Sequence, residues 1–203
     1  MLEKARADFA RADPVYMARW SGAVHHPARG ELVLDYCGHP CTVHHPSASM
    51  TWGQEKLHPN EEVLVLQYLS EASGLPLRGE WISFLELPGG PHHDYLFRQE
   101  AHLPLARAFG AMPLGLREAS VPWGAQPATF GDAACVVQAF PRLPLLLIVW
   151  GQDEESPARA AVLFDRSAPG YLTTAALYVL GIAVARRVVE GPAAPGSITP
   201  QVP

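Results

Sequence analysis

Residues 130–180 read FGDAACVVQAFPRLPLLLIVWGQDEESPARAAVLFDRSAPGYLTTAALYVL and decide the fold. Three apolar runs lie within them, at Ala134–Phe140, Leu143–Trp150 and Ala160–Phe164, each the length of a strand. The almost uncharged segment Tyr171–Ala185 follows and is long enough for a helix. We therefore expect an α+β fold in which a largely antiparallel sheet carries helices packed on one face. The strands and the last helix should share one almost fully buried cluster of Val136, Leu146, Ile148, Leu163, Leu177 and Leu180.

The composition is typical of one globular domain. The chain has 203 residues, of which 48% are hydrophobic and 17% charged, so a disordered chain is not expected. A chain of this length buries roughly 70% of its unfolded surface and needs no disulfide to fold. We predict a single α+β domain over residues 1–190. The proline-rich residues 191–203 show no apolar periodicity and are predicted to form a disordered tail.

Charge and cysteine usage limit the partners and the compartment. The net charge is −5 and no basic run is longer than Arg186–Arg187, which argues against a nucleic-acid partner. Three cysteines, an odd number, argue against a secreted disulfide framework. Residues 1–13 are charged throughout and lack the apolar region of a signal peptide, so none is expected. The segment Tyr171–Ala185 is too short to span a bilayer. We expect a cytoplasmic protein with no membrane partner; the oligomeric state stays open.

The first half of the chain gives weaker but readable patterns. Asp13-Pro14 should divide an N-terminal helix, because aspartate caps helices and proline favours their first position. A hairpin is expected to turn at Gly38-His39, and Asn60 is expected to cap the next helix. Beyond it we predict a strand at Trp81–Leu87 and a helix at Tyr95–Phe109, where Pro104 either breaks the helix or starts a second one.

Several motifs together resemble a known family. They are Trp81-Ile82-Ser83-Phe84 with Leu87-Pro88-Gly89-Gly90, Phe140-Pro141-Arg142-Leu143-Pro144-Leu145, Trp150 with Asp153-Glu154-Glu155 and Pro157, and Leu163-Phe164-Asp165 with Ser167. From roughly Leu32 to Leu180 the chain is similar to an uncharacterised domain-of-unknown-function family, number three-seven-eight-six, of anaerobic bacteria and archaea.

The resemblance implies a setting rather than a reaction. Some members of that family follow an iron–sulfur module of the type found in corrinoid proteins, which implies a redox or metallocofactor environment and an iron–sulfur or corrinoid protein as partner. No catalytic residues follow from it. The chain departs from the family pattern at Thr173-Thr174-Ala175, where members usually carry Thr-Glu-Asp. Two carboxylates at the start of the last helix are therefore missing. If they carry a function in the family, this chain has lost it; if they only complement the helix dipole, their absence changes little.

The densest cluster of metal-ligating residues is Cys37, His39, Cys41 and His44. Thiolate and imidazole are suitable ligands for zinc, iron or copper. The spacing differs from the Cys-x-x-Cys of a zinc knuckle, but Cys37 and Cys41 can face each other across a hairpin. The alternative is that both cysteines are small strand residues and that the histidines lie in surface loops.

A tetrapyrrole or corrinoid needs an apolar pocket and an axial imidazole. His92 and His93 follow Gly-Gly-Pro at the end of a predicted strand and can supply the imidazole. Trp81, Trp123 and Trp150 are the candidates to line that pocket. The alternative is a pair of histidines on an exposed loop without a ligand.

Arg142 and Asp165 are expected to form a structural ion pair. Arg142 starts the second strand of the core meander, and an antiparallel third strand ends beside that start, at Asp165. A guanidinium near an apolar sheet edge needs a carboxylate, which it binds in a bidentate manner. We expect this pair to hold the last strand in place.

These features favour a non-catalytic ligand- or cofactor-binding module in an anaerobic redox or corrinoid-linked system. The sequence contains no Gly-x-Ser-x-Gly elbow, P-loop, dinucleotide fingerprint or zincin helix, which favours a protein that is not an enzyme. Two alternatives stay open. One is a metal-dependent enzyme that uses the His/Cys-rich N-terminal half, and the other is a structural protein–protein interaction subunit.

Overall fold

The computed structural model describes residues 1–53 and 57–192 and has the expected α+β organisation. Residues 193–203 of the predicted tail lie outside the described residues. The strands are β1 (Val24–His26), β2 (Glu31–Tyr36), β3 (His39–His44), β4 (Met50–Trp52), β5 (Trp81–Ser83), β6 (Gln126–Ala128), β7 (Ala133–Phe140), β8 (Leu143–Trp150) and β9 (Arg159–Asp165). The helices are α1 (Leu2–Arg11), α2 (Pro14–Ser21), α3 (Pro59–Glu71), α4 (Asp94–Phe97), α5 (Leu103–Phe109), α6 (Gly115–Ser120) and α7 (Thr174–Glu190).

Two antiparallel sheets organise the molecule. The first has the strand order β1-β2-β3-β4, and the second has the order β5-β9-β8-β7-β6. The meander β7-β8-β9 lies at the centre of the second sheet, which confirms the three strands predicted from the apolar runs. Leu145 and Leu147 of β8 face the main core, which also contains Leu177 and Leu180 of α7. The helices therefore cover the face of the sheet that carries Leu145 and Leu147.

The prediction of one shared core cluster is wrong. Leu146 pairs with Val136 on one side and with Leu163 on the other, and together with Ile148 these residues form a separate cluster. Successive side chains of a strand point to opposite faces, so Leu146 lies on the face that is turned away from α7. Uninterrupted apolar runs lack the period-two pattern that assigns side chains to a face, which is why the sequence did not separate the two clusters.

This second face of the sheet, here called the outer face, consists of strand residues only. Its cluster includes the half-buried side chains of Trp81, Trp150 and Leu163 around the buried Leu146. In the described part of the chain no helical residue joins this cluster. The outer face is thus an apolar sheet surface without a helical layer.

The β2-β3 hairpin is confirmed, but its turn lies one residue earlier than predicted. Tyr36 pairs with His39, so the two turn residues are Cys37 and Gly38. Both have positive φ, 48° and 76°, as a type I′ turn requires. A Cβ added to Gly38 would lie 2.7 Å from the carbonyl carbon of Trp123, so the turn packs where only glycine fits.

The helix starts follow simple capping chemistry. Asp13 caps α2 by accepting a hydrogen bond from the Val15 amide at 2.8 Å, which confirms the predicted break before Pro14. In α3 the cap is His58 rather than the predicted Asn60, because the Asn60 amide donates to His58 Nδ1. No helix in residues 1–53 and 57–192 has the length and apolar character that a membrane crossing requires.

Candidate functional site

A cleft of about 590 Å³ opens between the start of α7 and the chain that follows β5. Its volume falls in the range of roughly 300–1,000 Å³ that small-molecule sites occupy. The lining contains two imidazoles and a phenol, and no Asp, Glu, Lys or Arg. The lining residues are Phe84, Pro88, Gly89, His92, His93, Thr174, Ala175 and Tyr178.

One wall of the cleft is a tightly folded turn after β5. The strand ends at Ser83 and not at Leu87 as predicted, because Ser83 and Glu86 form a capping box around a 3₁₀ turn. The chain then folds back so closely that a Cβ on Gly90 would lie 1.9 Å from the Phe84 carbonyl oxygen. Glycine is therefore required at position 90, and the fold-back brings His92 and His93 to the cleft.

The other wall is the first turns of α7. Thr173 caps the helix by accepting a hydrogen bond from the Ala176 amide at 3.3 Å. The next hydroxyl, Thr174 Oγ1, donates to the Pro88 carbonyl oxygen at 2.8 Å and so joins the two walls. The Tyr178 ring contacts the His93 ring edge-on, with 6.4 Å between the ring centres. Thr174 and Ala175, where the sequence departs from the family pattern it resembles, both line the cleft.

A widened helical turn lies beside the cleft. Residues Arg98–His102 form a π-helical segment between α4 and α5, and α5 begins at Leu103 with Pro104 in its first turn, as the predicted alternative of a second helix requires. Proline has no amide hydrogen for the carbonyl of Glu100 and its ring would collide there, which the wider turn relieves. Partial burial, together with the charge of Glu100, raises the pKa of Tyr178 on the opposite side.

The π segment also carries a buried imidazole. His102 Nε2 is buried and has no hydrogen-bond partner within the described residues. Burial, reinforced by the positive charge of Arg98, lowers the pKa of His102 to about 4. The imidazole is therefore neutral at physiological pH and packs edge-on against Phe97.

The predicted cofactor residues do not all meet. His92 and His93 line the cleft, as the Gly-Gly-Pro pattern indicated. Trp81 and Trp150 lie on the outer face of the second sheet, so their assignment to the same pocket is wrong. Trp123 is also elsewhere, because its indole nitrogen donates to the Arg187 carbonyl oxygen at 3.0 Å. Aromatic residues distant in sequence gave no pattern that indicates which face of the fold they occupy.

The predicted metal site does not form. Cys37 occupies the hairpin turn, and β3 places His44 on the face opposite to His39 and Cys41, since side chains alternate along a strand. Burial raises the pKa of both cysteine thiols to about 12. Within the described ranges no group of three or more His, Cys, Asp or Glu side chains is placed to hold a metal ion.

The predicted ion pair between Arg142 and Asp165 is also wrong. The Arg142 guanidinium donates to two backbone carbonyls instead, those of Gly74 at 3.2 Å and Arg19 at 3.3 Å. Arg19 lies in the last turn of α2, where carbonyl groups lack a partner within the helix, and Gly74 lies three residues after the end of α3. Arg142 thus joins α2 and α3 to the start of β8.

Asp165 is satisfied by donors close to its own strand. Its carboxylate accepts from the amides of Arg78 and Gly79, at 3.0 and 2.7 Å, and from the amide and hydroxyl of Ser167, at 2.9 and 2.6 Å. Burial opposes ionisation, but the Ser167 hydroxyl and the three amides outweigh it, and the pKa of Asp165 is lowered. The carboxylate therefore ties residues 78 and 79 to the end of β9.

An unpredicted buried ion pair joins α7 to α3. Arg187 Nη1 donates to Glu61 Oε1, and only 10% and 5% of the two side chains are exposed. Tyr36 donates its hydroxyl to the same carboxylate at 3.0 Å, and the Arg187 guanidinium lies 4.7 Å from the Trp52 ring centre. A usable sequence signal existed, because Arg187 shares a helical face with the buried Leu180 and Val184.

Charge and burial oppose each other in this pair. Burial raises the pKa of Glu61, but the hydrogen bond and the charge of Arg187 outweigh it, and the pKa is lowered. Trp123 adds a third aromatic ring around the guanidinium, at 5.8 Å, beside Trp52 and Tyr36. The aromatic cage is thus filled by the protein's own cation and offers no space to an external one.

Comparison with known families agrees with the motifs. The model of DUF3786, a domain of unknown function, matches residues 13–187. The chain belongs to this family. No curated protein and no solved structure matches it. The DUF3786 match spans both sheets and the cleft, so β5, the fold-back at Gly90 and the start of α7 all lie within the family's domain.

Proposed function

We propose that this DUF3786 protein is a non-catalytic binding module for a tetrapyrrole or corrinoid in an anaerobic redox or corrinoid-linked system. The cofactor would occupy the cleft between α7 and the fold-back after β5. The observation that carries the proposal is the pair His92 and His93 at an otherwise uncharged cleft of about 590 Å³. An imidazole beside an apolar surface is what an axial ligand of a macrocycle-bound metal requires.

The lining supports a binding role more than a catalytic one. Phe84, Pro88 and Ala175 supply apolar surface for the face of a planar ring. The cleft has no carboxylate, thiol or amine among its lining side chains to act as nucleophile or strong base. The alternative of a metal-dependent enzyme is not proposed, because its predicted ligands Cys37, His39, Cys41 and His44 do not converge.

Titration of the full-length protein with hemin or with cobalamin, without oxygen, tests the proposal. Coordination by an imidazole should shift the visible absorption bands of the added cofactor. The double variant His92→Ala/His93→Ala should weaken binding about tenfold or more. The matched control is His25→Ala/His26→Ala, which alters another adjacent pair, on β1. Absence of a spectral change with both cofactors, or unaltered affinity of the His92/His93 variant, would reject the proposal.

A second candidate function, a structural interaction subunit, is favoured by the outer face of the second sheet. Trp81, Trp150 and Leu163 are half-buried there and no helical residue of the described chain joins them. If association is the function, Leu163→Glu should abolish an assembly that sedimentation detects for the wild type. A monomeric wild-type protein that binds hemin would contradict this candidate.

The proposed function calls for a redox partner and a reducing compartment. An iron–sulfur or corrinoid protein is the partner that would reduce the bound cofactor or exchange it. We place the protein in the cytoplasm, and support comes from Cys37, Cys41 and Cys135, which are all free thiols.

A further inference from the structure

A row of three side chains crosses the outer face of the second sheet where β8 ends. Trp150 of β8 pairs with Arg159 of β9. On its other side, the Asp132 amide donates to the Val149 carbonyl oxygen at 3.0 Å, which continues the pairing of Ala133 with Val149 by one residue. Asp132 therefore lies beside Trp150 and, by strand alternation, on the same face. The row consists of an anion, an indole and a cation.

The two charges of this row are exposed and have no counter-ion. Within residues 1–53 and 57–192, neither Asp132 nor Arg159 forms a salt bridge. The Asp132 carboxylate accepts from the Gly151 amide at 2.7 Å, and the Arg159 guanidinium lies 5.5 Å from the Trp150 ring centre. Asp165, which strand alternation also places on this face, is buried. The exposed charges of the row thus lie on opposite sides of β8.

The central position of β8 makes this arrangement self-complementary. The strand order β5-β9-β8-β7-β6 has two strands on each side of β8. A twofold rotation about an axis along β8 therefore exchanges the positions above β7 and β9. In two copies stacked in this way, Arg159 of each copy lies opposite Asp132 of the other, and Trp150 lies beside its counterpart. The apolar residues match as well, because Leu163 of β9 then faces Val136 of β7.

The charges favour a second copy over an uncharged partner. Stacked sheets lie about 10 Å apart, so a long Arg159 side chain can reach a carboxylate on the facing sheet. An uncharged partner would leave Asp132 and Arg159 at the interface without counter-ions, at a cost in hydration. The acidic link after β8 does not oppose the stack. Its Gln152 amide donates to the Gly110 carbonyl oxygen at 3.0 Å, which draws the link towards α5 on the other face of the sheet.

We propose that the outer face is the interface of a homodimer, with the twofold axis along β8 and two Arg159–Asp132 ion pairs beside the Trp150 rings. Strands of these lengths present about 450 Å² per copy, or about 900 Å² in the pair, which suits a reversible dimer. The inference names the partner that the second candidate function leaves open, and it does not depend on cofactor binding. Because α7 and its cleft lie on the opposite face, each copy keeps an open cleft.

Sedimentation of the full-length protein over concentrations up to about 100 µM tests the dimer, which the wild type should form at the upper end. Arg159→Glu places two pairs of like charges in the interface, and so does Asp132→Lys. Each variant alone should weaken the dimer about tenfold or more. An equimolar mixture of the two should restore it, because every ion-pair position of the mixed dimer again joins opposite charges.

The matched control is Lys4→Glu/Arg11→Glu on α1. Both side chains are exposed and bind Asp8, so this variant also reverses charge and removes surface ion pairs, but away from the sheet. Its dimer should stay within about twofold of wild type, and thermal melts confirm that each variant folds. A wild type that remains monomeric, a dimer that neither charge variant weakens, or a mixture that stays monomeric would overturn the proposal. Hemin binding at the cleft is measured separately, so the two proposals fail independently.

Discussion

Glu61 and Asp165 are two carboxylates buried to a similar extent, with 4% and 2% of each residue exposed, but they are neutralised differently. Glu61 binds a side-chain cation, Arg187 of α7. Asp165 binds backbone amides of residues 78 and 79 and the amide and hydroxyl of Ser167. The first arrangement joins two helices by charge, and the second fixes the path of the chain beside β9.

The difference bears on what each carboxylate contributes to stability. A buried ion pair gains Coulomb energy but loses the hydration of two charges, so its net contribution is small even though loss of one partner is costly. A buried backbone amide without a hydrogen-bond partner destabilises the folded state. The Asp165 carboxylate accepts from three such amides and so removes the free-energy cost of leaving them unsatisfied. We therefore expect Glu61 to be replaceable together with Arg187, and Asp165 not to be replaceable by a neutral residue.

The largest effect is expected from Arg187→Met. This change leaves Glu61 buried without its cation and should lower the free energy of unfolding by about 3–5 kcal/mol, measured by urea denaturation. The double variant Arg187→Met/Glu61→Gln removes the stranded charge and keeps an acceptor for the Tyr36 hydroxyl. It should recover most of the loss. A double variant no more stable than the single one would show that packing in the aromatic cage, and not charge, dominates.

Asp165→Asn should cost somewhat less, about 3 kcal/mol of unfolding free energy. The amide group of asparagine turns a donor towards at least one backbone N–H that Asp165 now accepts from, and that donor stays buried and unsatisfied. Asp132→Asn is the matched control. Asp132 accepts from a single amide, that of Gly151 at 2.7 Å, and is exposed, so its loss should stay within about 0.5 kcal/mol. Equal losses in the two variants would contradict the structural role of Asp165.

The smallest effect concerns pH. The pKa values of Glu61 and Asp165 are both lowered in the folded state, so their stabilisation is complete above the unfolded pKa values near 4 and is lost as the pH falls through the folded values. Each carboxylate that binds a proton only in the unfolded state should contribute a slope of about 1.4 kcal/mol per pH unit. Melts below pH 4 should show a shallower decline in Asp165→Asn than in wild type, and parallel curves would argue against the prediction.

His102 changes stability in the same direction as the two carboxylates, but over a separate pH window. Its folded pKa of about 4 lies below the unfolded value near 6.5, so the unfolded chain gains a proton first as the pH falls. The same melts should therefore show a loss of stability between about pH 6.5 and pH 4. Measurements on either side of pH 4 separate the imidazole from the carboxylates.

The central sheet and the last helix were predictable from the sequence because their apolar runs are long and clearly bounded. The face of each strand was not, since Leu145, Leu146 and Leu147 are equally apolar and only the register assigns Leu146 to the outer face. The partners of Asp165 were not predictable either. The strand topology indicated an arginine near Asp165, but backbone amides bind the carboxylate instead. No pattern of side chains in the sequence predicts hydrogen bonds from backbone amides.

Only the part of the candidate site that is formed by a local sequence pattern was predicted. His92 and His93 were found because Gly-Gly-Pro marks a local turn, and local turns are readable from sequence. The opposite wall, with Thr174 and Tyr178, comes from a helix distant in sequence and was not assigned to the site. Arg187 was missed because a cation on an apolar helix face is normally assigned to the solvent side. Its partner Glu61 lies in the first turn of α3, where the helix dipole alone already favours an anion.

The edge strand β6 determines how the outer face can meet other molecules. It has three residues and carries Pro127 at its centre. Because proline has no amide hydrogen, Pro127 cannot donate to a strand added beyond β6, and so short an edge is a poor template for one. The five-stranded sheet is thereby protected from edge-to-edge aggregation on this side, although its outer face is apolar. At the β6 side of the sheet, assembly must therefore stack on the outer face instead of adding a strand.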